Sequence, residues 1–290
     1  MTIKLKLLIL VLTFFACTGC AVNPITGQNE FMLFPESQDF EIGRLYAPEF
    51  EKELGGKIED DDLQNYIDSI GQKIARFGHK PNWEYHFVAL KHHSINAFAL
   101  PGGYIFITKG MLEKLETESQ LAAILAHEIV HVIARDTSNA ISKHIGIGML
   151  LTAAIPEVAT SEESAQGALA AAQVIQLIIA LQYSRQDERQ ADLGGIDYMV
   201  VAGYNPTGMV ETMQMLEKES ETRQVEFLSS HPSPQHRVAY LSQKIQSGNY
   251  PLSDLRIGKD TYRATILDRL PNLPDEKHPL DHLPNEPFTQ

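Results

Sequence analysis

The chain has 290 residues, 43% of them hydrophobic, and a formal net charge of −13 at pH 7. This apolar content is enough for a sizeable core and excludes a disordered protein. The acidic balance disfavours nucleic acid as a partner, because phosphates need a basic surface. Its two cysteines, Cys17 and Cys20, lie close together near the N-terminus, so the sequence offers no disulfide framework.

The N-terminal segment has the features of a targeting signal. Lys4 and Lys6 precede an apolar run, Leu7 to Ala16, that is too short to cross a bilayer. The end of this run resembles a bacterial lipoprotein signal, in which Cys20 would become the lipidated first residue. Ala21 then implies, by resemblance alone, an outer-membrane address; an ordinary secretory cleavage is the alternative.

The next segments predict two helices and a small sheet. Pro35 to Gly55 is typical of a helix, and a second helix is indicated by apolar residues at helical spacing, namely Leu63, Tyr66, Ile67, Ile70 and Ile74. Residues 83–90 and 104–108 are β-rich, and Pro101-Gly102-Gly103 predicts a turn before the second of them. We expect these strands to form an antiparallel sheet.

Helices are predicted to follow. Thr117 and Gln120 fit a capping box that opens a helix running to about Arg135. Ser164 to Ser184 contains no charged residue and is long enough for a transmembrane helix. Four glutamines and a glycine lower its hydrophobicity, however, so a buried helix is favoured. This helix would continue to Gly203 as a C-terminal cap, with further helices near 207–222 and 235–247.

The proline distribution suggests where the folded domain ends. The last 41 residues contain six prolines, which predicts an extended, peripheral tail. We therefore expect a signal peptide at 1–19, one folded domain at 20–250 and a Pro-rich tail at 251–290.

The stretch His127-Glu-x-x-His131 carries the chemistry. On a helix, residues i and i+4 share a face, so both imidazoles can bind one tetrahedral zinc. Glu128 could then act as general base on a water that attacks a peptide carbonyl. The alternative is a pair of core histidines with ordinary hydrogen bonds.

A catalytic zinc needs a third protein ligand and an open fourth position. Glu188 is the strongest candidate, because Asp192 lies on the same helical face and could orient a histidine ligand through its ring N–H. A solvated charged face is the alternative for this pair, and Glu157, Glu162 and Glu163 are weaker candidates for the third ligand.

Four motifs together resemble a known family. They are His127-Glu-x-x-His131, Ser184-Arg-x-x-Glu188-x-x-Ala-Asp192, NAFALPGGYIFITKGML (Asn96 to Leu112) and Ser230-His231-Pro232 followed by Arg237. They are similar to the HtpX and CAAX-prenyl-endopeptidase family of gluzincin zinc proteases, in its soluble bacterial lipoprotein branch. The resemblance covers about Cys20 to Arg263, and it implies that the domain at 20–250 is a zinc metallopeptidase domain. It implies an α+β, mostly helical zincin-like fold, with a small antiparallel sheet packed beside the active-site helix.

The resemblance also implies the roles of the site residues. One zinc per chain would be held by His127, His131 and Glu188, with Glu128 as base and Asp192 supporting a ligand.

Three further positions depend on the same resemblance. His231 would lie near the metal, either plugging its open position or stabilising the oxyanion; an ordinary loop histidine is the alternative. Arg237 would position the loop that carries His231. Asp136 stands where the family often has a histidine, and we expect this difference to be tolerated because the residue is outside the ligand set.

The segment Ser94 to Leu100 is the predicted substrate-binding edge, with Asn96, Ala97 and Ala99 along it. An exposed strand can bind an extended peptide by adding it to the sheet. An ordinary buried hairpin is the alternative.

The family resemblance implies a zinc endopeptidase that acts on unfolded or misassembled envelope proteins. It would work in the periplasm, anchored to the outer membrane by lipidated Cys20. The alternative is a zinc-stabilised chaperone or assembly adaptor that binds outer-membrane proteins without cutting them. An intact Glu128 favours the enzyme, since a structural zinc site has no use for a base.

Overall fold

The computed structural model describes residues 20–152, 177–232 and 236–273. The strands in these ranges are β1 (Cys20–Val22), β2 (Asn29–Phe31), β3 (His86–Leu90), β4 (Ala97–Leu100) and β5 (Tyr104–Thr108). The α-helices are α1 (Glu36–Glu53), α2 (Asp61–Ala75), α3 (Lys109–Leu112), α4 (Glu118–Ala134), α5 (Asp136–Thr152), α6 (Arg185–Val201), α7 (Thr207–Ser220), α8 (Glu226–Ser230), α9 (Arg237–Ser247) and α10 (Lys259–Tyr262). The predicted α+β fold with mostly helical content is confirmed.

Two predictions fall largely outside these ranges. The targeting segment 1–19 is one, and most of the apolar stretch 164–184 is the other. Among the helices of the described ranges, none combines the length and the apolar character needed to span a membrane.

The three-stranded sheet has the strand order β3-β5-β4. Strand β4 pairs antiparallel with β5, but β3 pairs parallel with it, so the sheet is mixed rather than purely antiparallel as predicted. The connection 91–96 carries the chain to the far edge, and β5 returns between the two earlier strands. Alternation of side chains is the same in both kinds of pairing, so the sequence pattern could not distinguish them. Gly103 makes the tight β4–β5 turn at φ +96°, where a Cβ would lie 2.2 Å from the Glu84 carbonyl oxygen.

Helix α4 forms the centre of the core. Its N-terminus is capped by Thr117, whose side chain accepts a hydrogen bond from the Gln120 N–H, and all of its residues are buried. It packs against α2, α6, α7 and β4. A helix covered on every side places its polar residues in the protein interior. The two motif histidines therefore lie at the centre of the molecule.

The C-terminal part of the described chain folds back onto this core. Tyr262, Ile266 and Leu270 are buried in the main hydrophobic cluster, and the Tyr262 hydroxyl donates to the Leu112 carbonyl at 2.7 Å. The expected extended tail therefore does not hold for residues 251–273. The three apolar residues recur every four positions, which is a helical spacing. This spacing indicated a packed segment, whereas the prediction of an extended tail relied on the nearby prolines. Residues 274–290 lie outside the described ranges.

Candidate metal centre

Four buried side chains converge at the centre of the fold. His127 and His131 lie one turn apart on α4, Glu188 lies in the first turn of α6, and His231 follows α8. All four are at most 1% exposed. One donor atom from each lies within 4.8 Å of the other three. The structure thus brings the three predicted ligands and His231 together.

The distances between these donor atoms suit a tetrahedral ion. The two Nε2 atoms of His127 and His131 are 3.0 Å apart, and they lie 3.5 and 3.4 Å from the two oxygens of Glu188. The Nδ1 atom of His231 is 3.2 Å from His127 Nε2 and 2.8 Å from Glu188 Oε1. A tetrahedral ion with bonds of 2.0–2.1 Å separates its ligand atoms by about 3.3 Å.

The hydrogen bonds of the two rings support the same conclusion. His127 Nδ1 donates to Asp192 Oδ1 at 3.1 Å, and His131 Nδ1 donates to Asp136 Oδ2 at 2.7 Å. With protons on both Nδ1 atoms, neutral rings present two lone pairs at Nε2, which repel at this separation unless a positive charge lies between them. Although burial opposes it, the carboxylates of Asp136 and Glu188 raise the pKa of His131 well above its usual value. Burial lowers the pKa of His127 and of His231, which keeps these two rings neutral, whereas the positive charge that the carboxylates favour at His131 is one that a divalent cation can supply.

Unpartnered carboxylate oxygens also fit a bound ion. Both oxygens of Glu128 and Oε2 of Glu188 are buried without a hydrogen-bond partner among the described residues. Such atoms are rare in native proteins and call for a partner that the protein itself does not provide. Burial raises the pKa of Glu128, which brings this carboxyl group closer to the range of a general base at neutral pH. Its Oε1 lies 3.6 Å from His231 Nε2.

Asp192 links the His127 ring to a buried arginine. Arg237 Nε donates to Asp192 Oδ2 at 2.8 Å and Arg237 Nη2 donates to Oδ1 at 2.6 Å, while the Tyr240 hydroxyl also donates to Oδ2. Burial acts to raise the pKa of Asp192, but the charge of Arg237 outweighs it and the pKa is lowered. Arg237 thus contacts Asp192 directly, in addition to lying at the start of α9 after the His231 loop.

Sequence reasoning missed two contacts to His131. Asp136 lies outside the ligand set, as expected. Its presence in place of the family's frequent histidine nevertheless matters for the site, because the Asp136 carboxylate accepts a hydrogen bond from the His131 ring. Burial raises the pKa of Asp136 to about 6, against the effect of the neighbouring His131. Arg135 ends α4 in the left-handed conformation, which turns Asp136 back to the ring in a way that helical spacing cannot predict. Tyr183 stacks on His131 with ring centroids 4.1 Å apart, and no motif indicated this.

Strand β4, the predicted substrate edge, does lie at an edge of the sheet. Ala97 and Ala99 are buried, whereas Asn96 is half-buried and its Oδ1 has no hydrogen-bond partner within the ranges that the structure describes. The backbone of Asn96 bonds to Thr108 of β5, so the N–H and C=O of Ala97 face away from the sheet. Substrate binding at this edge stays a prediction. The weaker ligand candidates at 157, 162 and 163 lie outside the described residues.

Comparison with known proteins identifies the family. A model of peptidase family M48 matches residues 61–245, more than half of the chain. The chain belongs to peptidase family M48. The predicted zinc metalloprotease family is thereby confirmed. All four residues of the ligand group described above lie within the matched range.

Individual relatives agree with this assignment. The chain is 29% identical over 214 residues to the beta-barrel assembly-enhancing protease of Yersinia pestis, covering 70% of this chain and 43% of the relative. It is 29% identical over 220 residues to the mitochondrial metalloendopeptidase OMA1 of Saccharomyces cerevisiae, covering 68% of this chain and 61% of the relative. The chain thus spans less than half the length of the bacterial relative. The lipoprotein branch within the M48 family stays a prediction.

Proposed function

We propose that the protein is a zinc-dependent endopeptidase that hydrolyses peptide bonds of misfolded or misassembled cell-envelope proteins. It would bind one zinc per chain through His127, His131 and Glu188. The observation that carries the proposal is the buried ligand group beside Glu128, whose carboxylate has no hydrogen-bond partner in the described part of the chain. Relatives named as an assembly-enhancing protease and as a metalloendopeptidase support the reaction and the substrate class.

The side chains would divide the reaction among them. When bound, zinc would supply the Lewis acidity that activates a water and polarises the scissile carbonyl. Glu128 takes a proton from the attacking water and returns it to the leaving amide nitrogen. Asp192 and Asp136 hold the two histidine rings in the tautomer that leaves Nε2 free for the metal.

His231 would regulate or assist the same step. Its Nδ1 lies among the ligand atoms, so it can close the position that a substrate carbonyl needs. Stabilising the oxyanion after withdrawing from this position is its alternative role. Arg237 supports the site through Asp192 rather than by touching the substrate.

We place the protein in the periplasm, anchored to the outer membrane through lipidated Cys20. The targeting segment supports this location, and so does the similarity to a bacterial assembly-enhancing protease. Its partners would be unfolded or misassembled envelope polypeptides.

A Glu128→Gln variant tests the proposal. It removes the base but keeps the shape of the side chain, so zinc content should stay at the wild-type level while casein cleavage falls by about a hundredfold or more. Glu113→Gln, an isosteric change at an exposed glutamate, is the matched control and should cleave casein like wild type. Cleavage that survives in Glu128→Gln would refute the mechanism. Zinc binding without any cleavage by wild type would favour the chaperone or adaptor role.

A further inference from the structure

A single residue joins the helix that carries His131 to the helix that follows it. Helix α4 ends at Ala134 and α5 begins at Asp136, so Arg135 makes the change of direction. It does so at φ 63° and ψ 33°, in the left-handed region. Residues other than glycine adopt this conformation at a cost in free energy, and they keep it only where surrounding contacts hold them there. Contacts from elsewhere in the chain must therefore hold Arg135 in place.

Those contacts come from the start of α1 and from the segment before it. The Arg135 guanidinium donates from Nε to Asp39 Oδ2 and from Nη2 to Asp39 Oδ1, the second bond being 3.0 Å long. Nη2 also donates to the Phe34 carbonyl at 2.8 Å. A carboxylate that accepts two bonds from one guanidinium fixes the orientation of the arginine as well as its position.

The ion pair is shielded from water and extends to α5. Asp39 is 2% exposed and Arg135 is 8% exposed. Ser138, in the first turn of α5, donates to Asp39 Oδ1 at 2.8 Å. Asp39 thus holds the chain on both sides of Asp136, which is the residue that contacts His131.

Backbone contacts keep the same N-terminal segment against α5. The Asn139 side chain donates to the Phe31 carbonyl at 2.8 Å, and the Leu33 N–H donates to Ser142 Oγ at 3.0 Å. Asp39 is therefore presented to the α4–α5 junction by a segment that is itself bonded to α5.

The conformation of Arg135 decides whether the Asp136 carboxylate can reach His131. In a continuous helix, residues five apart lie about 140° apart around the axis, so the carboxylate would point away from the ring. With the turn in place, Asp136 Oδ2 accepts from His131 Nδ1 at 2.7 Å. The ring then directs Nε2 at the other ligand atoms.

We propose that Asp39 is a positioning residue for the metal site. It holds Arg135 in the left-handed conformation and thereby places the Asp136 carboxylate on the His131 ring. It acts through these two residues rather than by contact with the metal. The inference deepens the proposed function and rests on it, because it assumes that His131 binds zinc.

The zinc affinity of Asp39→Asn is the first test. The change keeps the shape of the side chain but removes its charge, so the Arg135 guanidinium loses its ionic partner. We expect zinc affinity, measured by competition with a chromophoric chelator, to fall about tenfold. Asp60→Asn is the matched control, because Asp60 also pairs with an arginine, Arg269, but does so at the N-terminus of α2. The control should bind zinc like wild type, and an equally tight Asp39→Asn would overturn the inference.

A double-mutant cycle separates positioning from a general loss of stability. If Asp39 acts through Asp136, its replacement has no contact left to disturb once Asp136 is replaced by alanine. In the Asp136→Ala background, Asp39→Asn should therefore lower zinc affinity by less than about twofold, against about tenfold in the wild-type background. The same loss in both backgrounds would show that Asp39 affects zinc by another route and would overturn the inference.

A pair of double variants tests the turn even if Asp39→Asn alone does not fold, since that change leaves the buried Arg135 charge without its carboxylate partner. Asp39→Asn/Arg135→Gly and Asp39→Asn/Arg135→Ala both remove the two charges together. Glycine adopts the left-handed conformation freely, whereas alanine does not. We expect the glycine variant to bind zinc about tenfold more tightly than the alanine variant. Equal affinities would overturn the inference.

Casein cleavage by wild type separates this inference from the proposed function. A tenfold loss of zinc affinity in Asp39→Asn, with no cleavage by wild type, would retain the positioning role and reject the endopeptidase. Cleavage by wild type together with wild-type zinc affinity in Asp39→Asn would retain the endopeptidase and reject the positioning role.

Discussion

Replacing Asp136 should weaken metal binding although the residue is not a ligand. Its Oδ2 accepts from His131 Nδ1 at 2.7 Å, and both side chains are almost fully buried, at 0% and 2% exposure. A hydrogen bond to a charged group contributes about 1.5–3 kcal/mol. Loss of such a support for a metal-binding histidine costs about 10- to 100-fold in affinity, or about 1.4–2.7 kcal/mol.

Two substitutions separate the charge from the contact. Asp136→Asn keeps an acceptor oxygen and loses the charge, so we expect a loss near tenfold; Asp136→Ala loses both, so we expect a loss near a hundredfold. Zinc affinity is measured by competition with a chromophoric chelator. The unfolding of each metal-free variant is measured alongside, because it reports any general loss of stability. Asp197→Asn, at an exposed aspartate of α6, is the matched control. Zinc affinity within about twofold of wild type in Asp136→Ala would refute the reasoning.

Three further predictions concern the edge strand and the C-terminal segment. Ala97→Pro removes an N–H that faces away from β5, so we expect it to raise KM or abolish cleavage and leave zinc bound; unchanged kinetics would contradict substrate binding at β4. Tyr262→Phe removes the donor to the Leu112 carbonyl and should lower the free energy of unfolding by about 1–2 kcal/mol in a urea titration, whereas no change would show that this contact is not needed. Asp60→Ala removes the N-cap of α2 and the partner of Arg269 and should cost about 1 kcal/mol at pH 7. Burial acts to raise the pKa of Asp60, but the first-turn N–H and Arg269 outweigh it, so the pKa is lowered; the contribution is therefore complete above the unfolded pKa of about 3.9 and should disappear as the pH falls below it.

The elements that carry the chemistry were predictable because their signals are local. A capping threonine and an unbroken apolar sequence define α4, which the structure bounds at Glu118–Ala134 against a predicted end near Arg135. The four-residue spacing of Glu188 and Asp192 was enough to predict one shared face, and both side chains do turn towards His127.

The contacts that the sequence could not predict depend on changes of chain direction. Asp136 reaches His131 because Arg135 adopts the left-handed conformation, which few non-glycine residues do and no pattern here signalled. The parallel pairing of β3 with β5 depends on the path of the intervening connection rather than on either strand. His231 arrives from a different part of the chain, and only the family resemblance indicated that it would lie near the metal.

Zinc stoichiometry and affinity of wild type and Glu188→Ala test the central claim most directly. Glu113→Ala, at an exposed glutamate, serves as the control. The account predicts one zinc per chain in wild type and in the control. In Glu188→Ala it predicts a loss of zinc affinity of at least about a hundredfold, because the change removes a direct ligand. Loss of a residue that only supports a ligand already lowers the affinity by about 10- to 100-fold. Equally tight zinc in Glu188→Ala and wild type would place the third ligand elsewhere and contradict the site described here.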